Sequence, residues 1–210
     1  MSLPALPVDC LFEDRLDDVV DVFADAFAGY PVMRFTVGSE GDVEARERRL
    51  LRLFVTRRVV RGGPMYGVAE KHAGHNLAGA MLLTLPVEPD PPAEVAQISE
   101  EAWRELGDEA RRRYDAYAVA GSTFFTSLPL HHHLNMIGVR RAHKGAGLGG
   151  RLLNAARTLA EDDPQSAGVS LTTENPRNVD LYQHFGYEVV GHAAVGPGLE
   201  TWGMFLRVRR

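Results

Sequence analysis

The sequence is poor in cysteine and has no long apolar run. Its 210 residues include a single cysteine, Cys10, which excludes an intrachain disulfide and is compatible with a reducing compartment. No apolar run approaches the roughly 20 residues of a membrane-spanning helix, and the first residues lack the basic start and apolar centre of a signal peptide. We therefore expect a cytoplasmic protein that has no membrane segment and no membrane partner.

Acidic residues are missing from one long segment of an otherwise acidic chain. The protein has 28 Asp and Glu against 23 Lys and Arg, a net charge of −5, which argues against a nucleic-acid partner. Residues 116–160 nevertheless contain no Asp or Glu. The same segment holds these basic residues: Arg140, Arg141, Lys144, Arg151 and Arg157. A solvated basic helix face is one explanation, but a glycine-rich turn among them favours an anion site.

This turn lies within residues 134–153, LNMIGVRRAHKGAGLGGRLL, whose order is typical of a strand, a turn and a helix. Four of the six residues 145–150 are glycine, so backbone N–H groups can approach a ligand closely. A helix that begins there directs the positive end of its dipole at the turn. These features predict a phosphate-binding turn.

Two common phosphate-binding motifs fit this turn poorly. Gly145, Gly147 and Gly150 match the dinucleotide pattern G-x-G-x-x-G literally, but the acidic residue expected about 20 positions later is absent near Ser170. A Walker A loop needs Lys followed by Ser or Thr after its last glycine, and this sequence continues with Arg-Leu. A nucleotide-dependent oxidoreductase stays a rival interpretation, which NAD(P) binding would reveal.

The turn resembles the acetyl-CoA signature of the GNAT superfamily of N-acetyltransferases, Arg/Gln-x-x-Gly-x-Gly/Ala. Lys144, Gly147 and Gly149 occupy its three fixed positions, with Lys in place of Arg or Gln. A proline that is common after the preceding strand is Arg141 here, a departure confined to the loop.

A second block makes the resemblance more specific. Residues 168–191, GVSLTTENPRNVDLYQHFGYEVVG, are similar to the downstream strand, short helix and following strand of the family. The recognisable positions are an Asn, a Leu-Tyr pair and a Gly-aromatic pair: Asn175, Leu181, Tyr182, Gly186 and Tyr187. The resemblance covers roughly residues 65–207 and is specific over residues 134–191.

The resemblance implies an α+β fold, in which helices flank a mixed, largely antiparallel sheet that splays to seat the cofactor. We expect one domain over residues 1–210. Residues 86–130 form an insertion relative to the family pattern, either a wall of a substrate pocket or surface decoration. Periodicity and turn residues predict helices at 13–28, 43–61, 94–119 (one helix or a pair), 147–161 and 178–184, and strands at 65–70, 77–85, 131–139, 168–173, 187–192 and 200–208.

The resemblance also implies acetyl-CoA as cosubstrate. Its pantetheine arm would lie along Ile137, Gly138 and Val139, and Asn175 would hold one of its amides unless Asn175 is only a turn residue. Asn178 is a further candidate contact, although a helix N-cap is the simpler role for it. The pyrophosphate would lie on the N–H groups of Lys144, Gly145, Ala146, Gly147, Leu148, Gly149 and Gly150.

Direct transfer of an acetyl group to an amine requires a base for the ammonium and an acid for the departing thiolate. Tyr182 matches the acid of the family, with core packing as the alternative. His133 is one candidate base, because some family members that acetylate arylalkylamines have a histidine six residues before the valine that is Val139 here. Glu174 is the other, unless it is a strand end in solvent. The three histidines at 131–133 do not predict a metal site, since neighbouring strand residues face opposite sides.

The expected acceptor is a small primary amine. Phe27, Tyr30 and Phe35, near the end of the first predicted helix, would contact it together with the insertion, although these aromatics are equally compatible with core packing. Another acyl-CoA donor, a protein N-terminus as acceptor, and a non-catalytic acyl-CoA-binding module are alternatives. The presence of Tyr182 argues against the last of these. A homodimer stays open as the assembly.

Overall fold

One seven-stranded sheet carries the site. The computed structural model describes residues 7–70 and 76–208. Over these residues the strands are β1 (Asp9–Leu11), β2 (Met65–Ala69), β3 (Leu77–Thr84), β4 (His132–Val139), β5 (Gly168–Thr173), β6 (Glu188–Gly196) and β7 (Leu199–Arg207). They pair in the order β1-β2-β3-β4-β5-β7-β6. Of these neighbours, β4 and β5 run parallel and the others antiparallel.

Helices cover both faces of this sheet. They are α1 (Leu16–Ala26), α2 (Pro31–Val37), α3 (Val43–Val60), α4 (Ala93–Leu106), α5 (Asp108–Gly121), α6 (Leu148–Asp162) and α7 (Pro176–His184). One apolar cluster joins α1, α3 and α4 to the sheet through residues such as Phe23, Leu50 and Leu82. A second cluster, on the other face, joins α6 to the sheet through Leu152 and Met81.

The predicted α+β fold with a largely antiparallel sheet is confirmed, with two elements that the sequence pattern did not indicate. The short strand β1 pairs with β2 at the edge of the sheet. Helix α2 begins at Pro31, shortly after the predicted end of the first helix at residue 28. Tyr30 is extended, with φ −64° and ψ 139°, and a proline at the first helical position favours a new helix because its fixed φ already suits one. The predicted helix at 94–119 is a pair, α4 and α5.

The boundary predicted for the short helix near Asn178 is wrong. Helix α7 begins at Pro176, and Asn175 is its N-cap, accepting the N–H of Arg177 at 3.1 Å through its side-chain oxygen. Proline at the first position and an Asn cap together start the helix earlier than the apolar pattern suggests. The turn predicted between the first two hairpin strands, residues 71–76, lies largely outside the described residues.

Candidate active site

Strands β4 and β5 separate soon after they meet. In the described sheet they share two residue pairs, His132 with Val169 and His133 with Ser170. Beyond these pairs the strands diverge, and a cavity of about 490 Å³ lies in the gap. Its walls include residues 133–139 along β4 and Leu171, Thr172 and Glu174 on the β5 side. Backbone polar groups that face such a gap have no partner strand, so an extended ligand can add to the sheet here.

A bulge in β4 changes which face of the sheet its side chains occupy. The register between β3 and β4 shifts between Leu82 and Leu83, which leaves Asn135 as the extra residue on β4. Leu134 and Ile137 therefore both pack towards the α6 face, although they are three residues apart. Strict alternation would have put them on opposite faces.

The backbone of β4 beyond the bulge presents donors to the gap. The N–H of Arg140 donates to the carbonyl of Ala78 on the β3 side at 2.8 Å. In an antiparallel ladder, successive residues direct their N–H groups to opposite sides. Ile137 and Val139 therefore direct theirs away from β3 and into the gap, where a bound carbonyl or amide oxygen could accept them.

The glycine turn leads into α6 with backbone that suits an anion. Gly145 and Gly147 have φ of 85° and 76°, a region that favours glycine, and Gly147 is the N-cap of α6. Among the described residues, no backbone carbonyl accepts from the N–H groups of Gly147, Leu148, Gly149 and Gly150. Donors of this kind at a helix N-terminus form a phosphate-binding arrangement.

Gly150 also has a packing role that the sequence pattern did not indicate. A Cβ at Gly150 would lie 2.8 Å from Cζ of Phe185. The missing side chain therefore lets α6 approach the end of α7. Gly150 offers only its N–H group to an anion at the start of α6.

The positive charge around this turn is smaller than the sequence suggests. Arg140 and Arg157 donate to backbone carbonyls at 2.8 and 2.5 Å, and Arg141 pairs with an aspartate of α1. Lys144 and Arg151 form no ion pair with a residue that the structure describes. These two cations remain for an anionic ligand at the turn.

Glu174 is a buried carboxyl group at the end of β5. It is 7% exposed and lines the cavity, so the alternative of a strand end in solvent is wrong. Its Oε1 accepts hydrogen bonds from the hydroxyls of Tyr117 and Thr201, both at 3.0 Å. Burial raises the pKa of Glu174 to about 7, although these hydrogen bonds lower it. A carboxyl group with a pKa near neutrality is suited to accept a proton.

Tyr30 fixes the backbone next to this carboxyl group. Its hydroxyl shares a hydrogen bond with Oγ1 of Thr173 at 2.9 Å and accepts the N–H of Glu174 at 3.2 Å. Burial raises the pKa of Tyr30 to about 12, so the phenol keeps its proton. Its ring meets Phe27 edge to face at 5.2 Å. Both aromatic residues line the cavity, and through them the connection between α1 and α2 becomes one of its walls.

Tyr182 projects from α7 into the same cavity. It is 8% exposed, its ring centroid lies 5.8 Å from that of Tyr187, and its ring belongs to the apolar cluster on the α6 face. Burial raises the pKa of the Tyr182 phenol far above its ordinary value, so the group is protonated at neutral pH. A phenol that is both packed and open to the cavity can donate a proton or a hydrogen bond there.

His133 also lines the cavity but is a weak base. Its Nδ1 is 2.7 Å from Oγ of Ser170, and its ring lies 5.5 Å from that of Phe125. Burial, with a smaller effect of His131, lowers the pKa of His133 to about 4. Such an imidazole is neutral at pH 7 and holds a proton far less firmly than Glu174 does.

The structure separates the three aromatic residues proposed for the acceptor pocket. Phe27 and Tyr30 line the cavity. Phe35 does not: it lies against β6, 3.1 Å from the Cβ position of Gly196, because α2 turns it towards that strand. The assignment of Phe35 is therefore corrected. In the segment between β3 and β4, Tyr117 and a second tyrosine of α5 form part of the cavity wall.

Some residues of the site could not be found from local sequence patterns. Thr201 lies behind the cavity wall and reaches Glu174 only because β5 and β7 pair in the sheet, which no local pattern reveals. The C-terminal end of α3 contributes Arg57, Arg58 and Arg61 to the cavity, and none of them was among the predicted site residues. A signal was available, since Arg57 and Arg58 follow the buried Leu50 and Leu51 by seven residues and so share their face of the helix.

Comparison of the chain with models of protein families identifies the family to which it belongs. The family model described as the acetyltransferase (GNAT) domain matches residues 93–208, more than half of the chain. The chain belongs to the GNAT acetyltransferase family. The rival of a nucleotide-dependent oxidoreductase loses its support, because the glycine turn on which it rested lies in the matched region.

Solved structures share this GNAT fold over almost the whole chain. A Corynebacterium glutamicum protein described as histone acetyltransferase HPA2 and related acetyltransferase has a TM-score of 0.70 at 18% identity, with 98% of each chain covered. The polyamine N-acetyltransferase of Drosophila melanogaster has a TM-score of 0.63 at 15% identity, covering 97% of this chain and 100% of that one. Arabidopsis thaliana NAA60, solved with acetyl-CoA, has a TM-score of 0.57 at 14% identity, with coverages of 97% and 100%.

Over residues 7–70 and 76–208, two features are absent from the GNAT chain: a helix that could span a membrane and a cluster that could hold a metal ion. None of the helices in these ranges has the length and apolar character that crossing a bilayer requires. The same ranges contain no group of three or more His, Cys, Asp or Glu side chains placed to hold a metal ion.

The glycine turn yields a first prediction. Gly147→Val places a branched side chain where the backbone needs φ near 76°, so the turn must distort and its N–H groups must change direction. We expect CoA affinity, measured by calorimetric titration, to fall at least about tenfold, or about 1.4 kcal/mol. Gly41→Val is the matched control, since Gly41 has φ of 69° with no atom near its Cβ position and does not line the cavity. Equal affinity in the two folded variants would place the phosphates elsewhere.

Proposed function

We propose that this GNAT acetyltransferase transfers the acetyl group of acetyl-CoA to a small primary amine by direct attack. The observation that carries the proposal is one cavity in which Glu174, Tyr182 and the open backbone of β4 meet. A base, an acid and fixed N–H donors are the three groups that the reaction requires.

The chain has a site of suitable form for the cosubstrate. The N–H groups of Ile137 and Val139 are directed into the gap, where an extended pantetheine arm would take the place of a neighbouring strand. The N–H groups at the start of α6, with Lys144 and Arg151 close in sequence, would hold the pyrophosphate. Acetyl-CoA supplies the acetyl group as a thioester, whose carbonyl carbon an unprotonated amine attacks as the CoA thiolate leaves.

Glu174 is the proposed base. Its ionised carboxyl group takes a proton from the ammonium form of the acceptor, directly or through a water molecule, and leaves the amine free to attack. The hydroxyls of Tyr117 and Thr201 hold the carboxyl group in place. His133, whose pKa burial lowers to about 4, cannot retain that proton at neutral pH. We therefore assign His133 to the cavity wall, where it hydrogen bonds with Ser170.

Tyr182 is the proposed acid. Its phenol gives a proton to the departing thiolate. The attacking nitrogen loses a proton as the amide forms, and this proton returns the phenolate to a phenol when the products leave. The raised pKa of Tyr182 keeps the proton on the phenol until negative charge develops on sulfur. Because this pKa is far from the optimum for a general acid, we expect the hydrogen bond to the sulfur to account for much of its effect.

The walls of the cavity favour a small amine as the acceptor. The cavity of about 490 Å³ is within the range of small-molecule pockets, and the thioester end of acetyl-CoA would share it with the acceptor. Aromatic side chains form the acceptor side, including Phe27, Tyr30 and Tyr117. The likeness to a polyamine N-acetyltransferase supports a small amine as the acceptor.

Product analysis tests the function. The protein is incubated with acetyl-CoA and a panel of primary amines, and both thiol release and N-acetylated products are measured. Acetylation of at least one small amine at a rate that depends on protein concentration is expected. A protein that binds acetyl-CoA but acetylates no amine in the panel would contradict the proposal and favour the non-catalytic module.

The pKa of Glu174 yields a second prediction. The ionised carboxyl group is the active form, so kcat at saturating substrates should rise with pH up to about 7 and then level off. In Glu174→Gln the rise should disappear, and kcat should fall roughly 10²-fold or more. Thr201→Val removes a hydrogen bond that lowers this pKa, so the rise should move to higher pH. An unchanged profile in both variants would exclude Glu174 as the base.

Tyr182 yields a third prediction. Tyr182→Phe removes one oxygen and little packing, so acetyl-CoA binding should persist while kcat falls roughly ten- to a thousandfold, because the interaction forms as charge develops on sulfur. Tyr187→Phe is the matched control. The Tyr187 hydroxyl is buried and has no hydrogen-bond partner among the described residues, so its loss should leave kcat unchanged. Equal kcat for Tyr182→Phe and the wild-type protein, where chemistry limits turnover, would reduce Tyr182 to a packing residue.

A further inference from the structure

The cavity extends beyond the acetyl-transfer region to a second, differently charged end. Along β4 it continues past the bulge at Asn135, away from the glycine turn, and reaches the C-terminal end of α3. There it is lined by Arg57, Arg58 and Arg61, together with Thr84 at the end of β3. None of these arginines has a part in the proposed transfer step.

This end of the cavity carries more positive than negative charge. Arg58 is 6% exposed, donates to Oγ1 of Thr84 at 2.7 Å and pairs with Glu88 at 2.6 Å. The same Glu88 lies 3.9 Å from Arg61 and also accepts the N–H of Leu85. One carboxylate therefore serves two guanidinium groups.

Arg57 is the third guanidinium group, and it has no carboxylate partner in the described structure. It lies beside the hydroxyl of Tyr114, whose pKa burial raises and the charge of Arg57 lowers. Residues outside the described ranges include no Asp or Glu in the sequence, so none of their side chains can supply the missing carboxylate. The three arginines and Glu88 leave a local excess of two positive charges, and Asp115, which also acts on Tyr114, is exposed and forms no ion pair with Arg57. A guanidinium group without a carboxylate partner in a partly desolvated pocket favours an anionic ligand.

Two tyrosines of α5 connect the two ends of the cavity. Tyr114, beside Arg57, and Tyr117, which donates to Glu174, are one helical turn apart, with ring centroids separated by 6.2 Å. The acceptor side therefore has a carboxyl group at one end, guanidinium groups at the other and aromatic rings along the wall. This polarity matches a molecule with an ammonium group at one end and an anion at the other.

We infer that the acceptor is an amine that also carries an anionic group, most simply a carboxylate, at the end remote from its amine. Its amino group lies at Glu174, and its anion pairs with the guanidinium group of Arg57, whose planar donors suit a carboxylate. A diamine fits poorly, because its second ammonium would face the same cations. The inference rests on the proposed function for the position of the amine.

The test compares acceptors that differ only in the remote group. Linear ω-amino acids of several chain lengths are compared with the alkylamine and the diamine of the same length, with acetyl-CoA as donor. For at least one length, kcat/KM for the amino acid should exceed that for both partners by about tenfold or more. In Arg57→Gln this preference should disappear while the KM for acetyl-CoA is unchanged. Arg48→Gln, which alters an exposed arginine of the same helix, should keep the preference.

Two further measurements separate failure of this inference from failure of the proposed function. If some amines are acetylated but the alkylamine or diamine is preferred at every length, the transfer function stands and the anionic acceptor is excluded. If no amine is acetylated, calorimetric binding of the ω-amino acids to the CoA-loaded protein decides. Binding that Arg57→Gln abolishes supports the anion site, and no binding to the wild-type protein overturns it.

A third comparison tests whether the anion that the arginines bind belongs to the acyl donor rather than to the acceptor. Succinyl-CoA with an uncharged alkylamine places the carboxylate on the acyl group. Turnover of this pair above that of acetyl-CoA with any ω-amino acid, lost in Arg57→Gln, would assign the arginines to the donor and overturn the inference. Slower turnover with succinyl-CoA supports the acceptor assignment.

Discussion

The early separation of two parallel strands is the constraint on which the rest of the site depends. Buried backbone N–H and C=O groups need hydrogen-bond partners, and β4 pairs with β3 over most of its length but meets β5 at two residue pairs in the described sheet. The gap leaves one edge of β4 open, with the N–H groups of Ile137 and Val139 directed into it. The glycine turn that follows β4 then starts α6 beside the same opening. Sheet geometry alone thus places an open strand edge next to a helix N-terminus whose first N–H groups have no backbone partner.

The same opening determines the electrostatics of the acceptor side. Glu174 follows β5 where that strand leaves β4, and burial there raises its pKa to about 7. At the opposite end of the cavity, the last turn of α3 places three arginines against a single carboxylate, Glu88. The segment between β3 and β4 closes the space between these ends through Tyr114 and Tyr117. Glu174, the aromatic wall and the arginine cluster thus come from parts of the chain far apart in sequence, and the fold alone brings them together.

Local sequence patterns predicted what local geometry controls. The strand-turn-helix around Gly147 and the strand ending at Thr173 could be recognised because glycine conformation, apolar periodicity and the family signature all act over short spans. Long-range pairing was not accessible in this way. Thr201 could not be matched to Glu174, nor Phe35 to β6, without the strand order. The arginines of α3 are an intermediate case: their spacing from Leu50 and Leu51 placed them on the buried face, but only the structure shows that this face ends at a cavity.

Residue-resolved amide hydrogen exchange with and without CoA tests the central claim most directly. If the extended arm of CoA adds to the open edge of β4, exchange at Ile137 and Val139 should slow on CoA binding. Exchange at Gly138, whose N–H is directed towards β3, should be slow already and change little. Exchange at the N–H groups of Leu148 and Gly149 should slow together with exchange at those of the gap, because the proposed site of the pyrophosphate is there. Protection that appears elsewhere, with Ile137 and Val139 unchanged in the CoA complex, would contradict the account.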